Sequence, residues 1–75
     1  MGLEPRSMEE IGATLKEIRE DKGLSLSEIA KIAGMAEKEL AKCEESIKDM
    51  QMTDFLRVCK ALGIKNPDDI IYETK

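Results

Sequence analysis

The feature that most constrains this chain is a series of short apolar stretches with helical spacing, separated by glycine or polar turns. In the first stretch Ile11, Leu15 and Ile18 recur at intervals of three and four residues, and Lys22-Gly23 follows them. This spacing places apolar side chains on one face of a helix. No stretch alternates strictly between apolar and polar residues over four or more positions, so no sheet is expected. The pattern predicts an all-α fold.

Cap and stop signals set the boundaries of the first two helices. Ser7 with Glu10, and Ser25 with Glu28, have the spacing of a capping box. Each box precedes an apolar helical stretch, and a glycine ends the second one. We therefore expect helices from about Met8 to Asp21 and from Leu26 to Ala33, with Gly34 as a left-handed terminator.

Three further helices are expected in the second half. The third covers Ala36 to Glu45, with Leu40, Cys43 and then Ile47 facing inward. Thr53 is a good N-cap for the fourth, which ends at Gly63. This helix carries the apolar residues Phe55, Leu56, Val58, Cys59 and Leu62. Asn66-Pro67 opens a fifth helix of one or two turns.

Length and composition allow one small domain. A chain of 75 residues has room for one modest core and no deep substrate cavity. Residues 1–7 carry no periodic pattern and are either a leader or a frayed, disordered end, so the domain is expected over residues 8–75. No run approaches the roughly 20 apolar residues of a membrane span. With Phe55 and Tyr72 as the two aromatics, the core must be aliphatic.

The residue types make catalysis improbable. The chain has no His, which excludes a Ser-His-Asp or Cys-His pair and any imidazole metal site. The carboxylates are scattered over helix surfaces without a paired base or nucleophile. We expect no enzyme activity, no cofactor and no metal. Cys43 and Cys59 are interpreted as free core thiols in a reducing compartment, which indicates a cytoplasmic protein.

Five segments together resemble a known family. They are "IGATLKEIREDKGLS", "LSEIAKIAG", "LAKCEES", "LRVCKALGI" and "NPDDII". From Ile11 to Ile71 the chain resembles the Xre-type helix-turn-helix family, the DNA-binding domains of phage repressors and Cro. The resemblance implies a compact five-helix repressor-like bundle containing a helix-turn-helix, in a sequence-specific transcriptional regulator. It also implies homodimers and palindromic operators on double-stranded DNA.

The resemblance also implies which residues touch DNA. The 36–45 helix would lie in the major groove, where Glu37, Lys38 and Lys42 reach base edges or phosphates. Lys38 and Lys42 are four residues apart, on one helix face, and Glu37 suits a cytosine amino group. Lys31 and Lys48 are the further candidates for phosphate contact.

Three positions depart from the family pattern. Leu26 stands where members commonly carry a Gln that touches DNA, and Ala36 replaces the usual Ser or Thr cap of the recognition helix. Ser46 replaces a customary Gly, so the third helix is expected to extend by one or two residues.

The net charge of −4 leaves a second function open. Phosphate binding favours a basic surface, which this chain as a whole lacks. The alternative is a helix-turn-helix scaffold that acts as a protein-protein interaction module or regulator antagonist, with weak or no DNA binding. Met50 and Met52 would then contact a protein partner, or else fill gaps in the core. Residues 70–72 either form a dimer surface or cover the core.

Overall fold

The computed structural model describes residues 2–74, so Met1 and Lys75, at the outer ends of the expected ranges 1–7 and 8–75, lie outside the described residues. Five helices and two short strands occur in this part of the chain. They are β1 Leu3–Pro5, α1 Met8–Asp21, α2 Leu26–Ala33, α3 Glu37–Glu45, α4 Met52–Ala61, α5 Asp68–Ile71 and β2 Tyr72–Thr74. The five-helix bundle confirms the expected fold class.

Capping boxes start α1 and α2, as expected. The Glu10 backbone N–H donates to Ser7 Oγ at 3.1 Å, and the Ser7 N–H donates to Glu10 Oε1 at 3.2 Å. Ser25 and Glu28 repeat both bonds at 3.1 Å. Each box pairs two backbone donors that would otherwise lack a partner in the first turn. Both helices have the bounds that the sequence predicts.

The boundaries of α3 and α4 differ from expectation in three places. α3 begins at Glu37, one residue later than expected, with Ala36 as its N-cap. Ser46 does not extend α3, because it is already extended at φ −166° and ψ 141°, and the next residue, Ile47, donates its N–H to Met8 O at 3.2 Å. Thr53 is not the N-cap of α4. Gln51 has that position and makes no side-chain cap bond. The cap and the start of the helix both lie two residues earlier than predicted, directly after a turn in which Met50 donates its N–H to Ile47 O at 3.0 Å.

The expectation that the chain contains no strand was wrong. β1 and β2 pair antiparallel, with Leu3 opposite Thr74 and Pro5 opposite Tyr72. Arg6 continues the contact by donating its backbone N–H to Ile71 O at 2.7 Å. Three-residue strands at opposite ends of the sequence are too short to show a period of two, so only the folded chain reveals them. The boundary between residues 7 and 8 stays a prediction.

The core lies between the helices and is aliphatic apart from Phe55, Cys43 and Cys59. α1 packs on α3, and α2 packs on both α3 and α4. Its fully buried large side chains are Leu15, Ile29, Leu40, Val58, Cys59 and Leu62. Ile70 of α5 is also buried and closes one end of the core. Leu56 of α4 is 47% exposed, because it lies off the buried row formed by Phe55, Val58 and Cys59.

Candidate nucleic-acid interface

A glycine turn connects α2 to α3. Gly34 adopts φ +73°, in the left-handed region that favours glycine, and ends α2. The next residue, Met35, donates its backbone N–H to Ala30 O at 2.9 Å. Ala30 and Ala33 are buried and small, which lets α2 pack closely on its neighbours. Two short helices joined by such a turn form a helix-turn-helix.

The second helix of this motif faces the core with one side only. Leu40, Cys43 and Glu44 are the buried residues of α3. At 3.6 residues per turn, Lys38 and Lys42 fall on the opposite side, and both are exposed. The structure therefore places this predicted pair on one outward face, as the four-residue spacing indicated.

A buried ion pair fixes the C-terminal half of α3. Arg19 of α1 donates from Nε to Glu44 Oε2 at 2.6 Å and from Nη2 to Glu44 Oε1 at 3.1 Å. Its Nη1 also donates to Leu24 O at 2.7 Å. Both residues are 8% exposed. The hydrogen bonds that Arg19 donates to Glu44 raise the pKa of Arg19 against the opposing effect of burial. This two-pronged pair orients α3 relative to α1.

A close backbone approach lies beside the ion pair. A Cβ placed on Gly12 of α1 would overlap the carbonyl oxygen of Cys43 and lie 3.0 Å from that of Glu44. Only glycine fits at this crossing of α1 and α3 without displacing backbone. The pair and the glycine together hold the outward face of α3 in one orientation.

Sequence reasoning did not identify Arg19 or Gly12, although each left a signal. Arg19 follows Leu15 by four residues, and Glu44 follows Leu40 by four, so two opposite charges occupy positions on buried rows. A charge in a core row needs a partner. Gly12 is a glycine inside a helix, which signals a packing reason.

The other predicted contact residues are exposed but lie at separate places. Glu37 is the first residue of α3, one position before Lys38, and Lys31 is in the last turn of α2. Lys48 lies in the loop between α3 and α4. The structure brings Lys42 and Lys48 to one open groove of about 510 Å³ between α3, this loop and the start of α4.

Carboxylates outnumber ammonium groups around this groove. Lys42 and Lys48 share it with Glu39, Glu45, Asp49 and Asp54. Glu37, Glu39 and Glu45 are the exposed acids of α3 itself. The positive potential at Lys38 and Lys42 is therefore local and reduced by its neighbours.

The departures from the family pattern have visible structural consequences. Leu26 is half-buried and packs against the core, so it has become a packing residue. Ala36 is the N-cap of α3 and makes no side-chain cap bond.

The two methionines considered for partner contact, Met50 and Met52, differ in burial. Met50 is half-buried against the core, as the gap-filling alternative expected, whereas Met52 is 64% exposed at the start of α4. Tyr72 is 39% exposed beside the buried Ile70. Only Met52 and Tyr72 of these residues therefore present large exposed apolar surface.

Comparison with known proteins assigns the family. A family model described as a helix-turn-helix domain matches residues 10–70. The chain belongs to the helix-turn-helix domain family. This confirms the resemblance drawn from the five segments. A search of curated proteins gave no significant match.

Two solved structures share the fold. The restriction-modification controller protein C.AhdI from Aeromonas hydrophila is 25% identical, with a TM-score of 0.77, over 85% of this chain and 96% of that one. The clp gene regulator ClgR from C. glutamicum is 33% identical, with a TM-score of 0.75, over 89% of this chain and 86% of that one.

A search of residues 2–74 for membrane-spanning helices found none with the length and apolar character that a bilayer requires.

Proposed function

We propose that this chain is a sequence-specific DNA-binding transcriptional regulator that acts in the cytoplasm and places α3 in the major groove. The observation that carries the proposal is the outward face of α3, where Lys38 and Lys42 follow the glycine turn in a helix-turn-helix. Their spacing suits a guanine edge or two phosphates. The regulatory roles named for the two structural neighbours support this function.

Three further residues complete the proposed contact surface. Lys31 of α2 and Lys48 of the loop after α3 bind phosphate, and Glu37 tunes base choice by accepting from a cytosine amino group. Because Ala36 provides no side-chain cap, the first backbone N–H groups of α3 are also available to a phosphate. A homodimer would double this small surface, and we place its interface at the end of the domain that carries Tyr72.

Oligonucleotide selection followed by titration tests the proposal. Duplexes selected from a random pool supply the probe, and fluorescence anisotropy at about 50 mM salt measures affinity. We expect Lys38→Glu and Lys42→Glu each to weaken binding at least tenfold, about 1.4 kcal/mol. Lys16→Glu is the matched control, because Lys16 is exposed on α1, outside the proposed surface. Equal affinities for all three variants would exclude this docking mode.

Salt dependence gives a second, quantitative test. If all four lysines of the proposed surface contact phosphate, the slope of log affinity against log salt is about −3.6. These lysines are Lys31, Lys38, Lys42 and Lys48. Replacing Lys48 by Ala should reduce the magnitude by about 0.9, whereas Lys16→Ala should not change it. A wild-type slope near zero would contradict phosphate binding.

The acids around α3 favour one alternative, a protein-interaction module with weak or no DNA binding. Four carboxylates line the groove that holds Lys42 and Lys48, and Met52 offers an adaptable apolar contact nearby. Heparin separates the two functions. Retention at about 50 mM salt is expected of a phosphate-binding face, and lack of retention together with a failed selection would favour the module.

A further inference from the structure

Two open grooves flank the C-terminal half of α4. The first, of about 350 Å³, lies between α2 and α4, and its lining residues are Ile32, Ala33, Arg57, Lys60 and Ala61. The second, of about 570 Å³, lies on the other side of Lys60 and is lined by Leu56, Cys59, Lys60, Gly63, Ile64, Lys65 and Pro67. Lys60 is the residue common to both grooves. We call the surface formed by Ile32, Leu56, Arg57, Lys60 and Lys65 the α4 basic patch.

The charge of the α4 basic patch is opposite to that of the chain. Among the described residues, no carboxylate lines either groove. Lys22 adds a further cation, since its Nζ lies 3.9 Å from where a Cβ of Gly63 would stand. Arg57 Nη1 lies 3.7 Å from Asp54 Oδ1. Because the Arg57 side chain is 60% exposed, this ion pair is weak. Although the net charge of the chain is −4, several Lys and Arg side chains therefore lie together on this one surface.

Exposed apolar side chains lie among these cations. Ile32 is 65% exposed and Leu56 is 47% exposed, although each borders a groove. A phosphate backbone would neutralise the lysines but leave both side chains in water. A partner that carries carboxylates and aliphatic groups together would satisfy both kinds of residue.

We propose that the α4 basic patch binds an acidic amphipathic segment of a partner protein. Its aliphatic side chains cover Ile32 and Leu56, and its carboxylates lie beside Lys60 and Lys65. An amphipathic helix laid in a groove meets these requirements, because apolar and acidic residues three or four apart share one face. None of the five proposed DNA-contact residues, on α2, on α3 or in the loop after it, lines either groove, so the patch and the proposed DNA surface can be occupied at once.

A designed peptide tests the proposal without knowledge of the natural partner. The probe is a fluorescein-labelled peptide of about 18 residues, five helical turns, with Leu and Glu at helical spacing. A scrambled peptide and a Leu-Lys peptide are the negative probes. Anisotropy with the full chain should show binding of the Leu-Glu peptide only.

Three variants locate the binding site on the protein. Lys60→Glu should weaken peptide binding at least tenfold, and Leu56→Gln about fivefold without a change of charge. Lys16→Glu makes the same charge change on α1 and should alter affinity less than about twofold. Equal effects of Lys60→Glu and Lys16→Glu, or an unchanged affinity in Leu56→Gln, would overturn the proposal.

Two measurements distinguish the other occupants of this surface. If sedimentation shows a wild-type dimer and a monomeric Leu56→Gln variant, the patch joins two copies of this chain and the proposal fails. If Lys60→Glu weakens duplex DNA binding more than Lys16→Glu does, the patch contacts nucleic acid and the proposal also fails. Neither result changes the test of Lys38 and Lys42, so failure here is separable from failure of the proposed DNA binding.

Discussion

The first two helices and the next two begin in different ways. Hydroxyl and carboxylate side chains complete a capping box at the start of both α1 and α2. The N-caps of α3 and α4 are Ala36 and Gln51, and neither makes a side-chain cap bond. Glu39 stands at the position in α3 that Glu10 and Glu28 have in their boxes, so α3 lacks only the hydroxyl.

The difference shows what holds each half in place. Local hydrogen bonds define where α1 and α2 start, and those signals are readable in the sequence. α3 depends on contacts with the rest of the fold, namely the Arg19–Glu44 ion pair and the close approach at Gly12. The helix proposed to enter DNA is therefore positioned by tertiary contacts, with its first turn left open.

Removing Glu44 is expected to have the largest effect on this arrangement. Glu44→Ala leaves Arg19 buried without its carboxylate, at a cost of about 3–5 kcal/mol in the free energy of unfolding. Chemical denaturation followed by circular dichroism measures the loss. Glu45→Ala, at the exposed neighbouring position, should change stability by less than about 0.5 kcal/mol.

A double variant separates loss of the pair from general damage. Arg19→Met combined with Glu44→Leu removes both charges and should recover much of the stability lost in Glu44→Ala. The unfolding free energy lost in the double variant is compared with the summed losses of Arg19→Met and Glu44→Leu alone. A larger loss in the double variant would show that the cost of Glu44→Ala does not arise mainly from an unpaired charge.

Gly12→Ala is expected to have the next largest effect. Helix propensity alone predicts a gain of about 1 kcal/mol for this change. The overlap with Cys43 O predicts a net loss of about 1–3 kcal/mol, because helix backbone must move. Ala13→Gly, at the exposed next position, should cost about 0.5–1 kcal/mol through propensity alone. A higher melting temperature for Gly12→Ala would show that α1 and α3 do not approach this closely.

The parts of the fold that could be predicted from the sequence are those set by residues close together in the chain. The bounds of α1 and α2 follow from patterns within a few residues of one another, whereas the expected extension of α3 beyond Glu45 does not occur. The β1–β2 pairing depends on residues far apart in sequence, so local rules gave no strand. The cap was wrongly placed at Thr53 because Gln51, the actual N-cap of α4, makes no side-chain cap bond and so gives no cap signal.

The candidate site was predictable to a similar degree. Helical spacing alone placed Lys38 and Lys42 on one face, and the structure has them there. The groove that joins Lys42 to Lys48 and four carboxylates requires the path of the loop, which no local pattern specifies. The contact of Arg19 with Glu44 spans two helices and was visible only as two charges in apolar rows.

Both thiols, Cys43 of α3 and Cys59 of α4, lie in the half without capping boxes. Their titration makes the free energy of unfolding depend on pH. Burial raises the pKa of Cys59 from 9.0 to about 11, and burial followed by nearby carboxylates raises that of Cys43. A raised pKa in the folded state means that the Cys59 contribution is complete below pH 9 and is lost as the pH rises toward 11.

This dependence predicts a difference between wild type and Cys59→Ala. Between pH 8 and pH 10 the wild type should lose about 1.4 kcal/mol more unfolding free energy than the variant. Urea denaturation at both pH values measures the difference, and Ala61→Gly serves as a destabilised control that keeps the thiol. Parallel pH curves for wild type and Cys59→Ala would show that the thiol titrates alike in both states.

The smallest expected effect is a direct exchange of the two kinds of helix start. Ser25→Ala should cost about 1 kcal/mol by removing the box of α2. Ala36→Ser should gain about 0.5–1 kcal/mol, because Ala36 already has the extended conformation of a cap, at φ −75° and ψ 146°, and Glu39 completes the box. Ala13→Ser, inside α1, should instead lose about 0.5 kcal/mol. If Ala36→Ser is no more stable than Ala13→Ser, α3 does not begin where the structure has it, and the contrast between the two halves fails at the helix on which the proposed function depends.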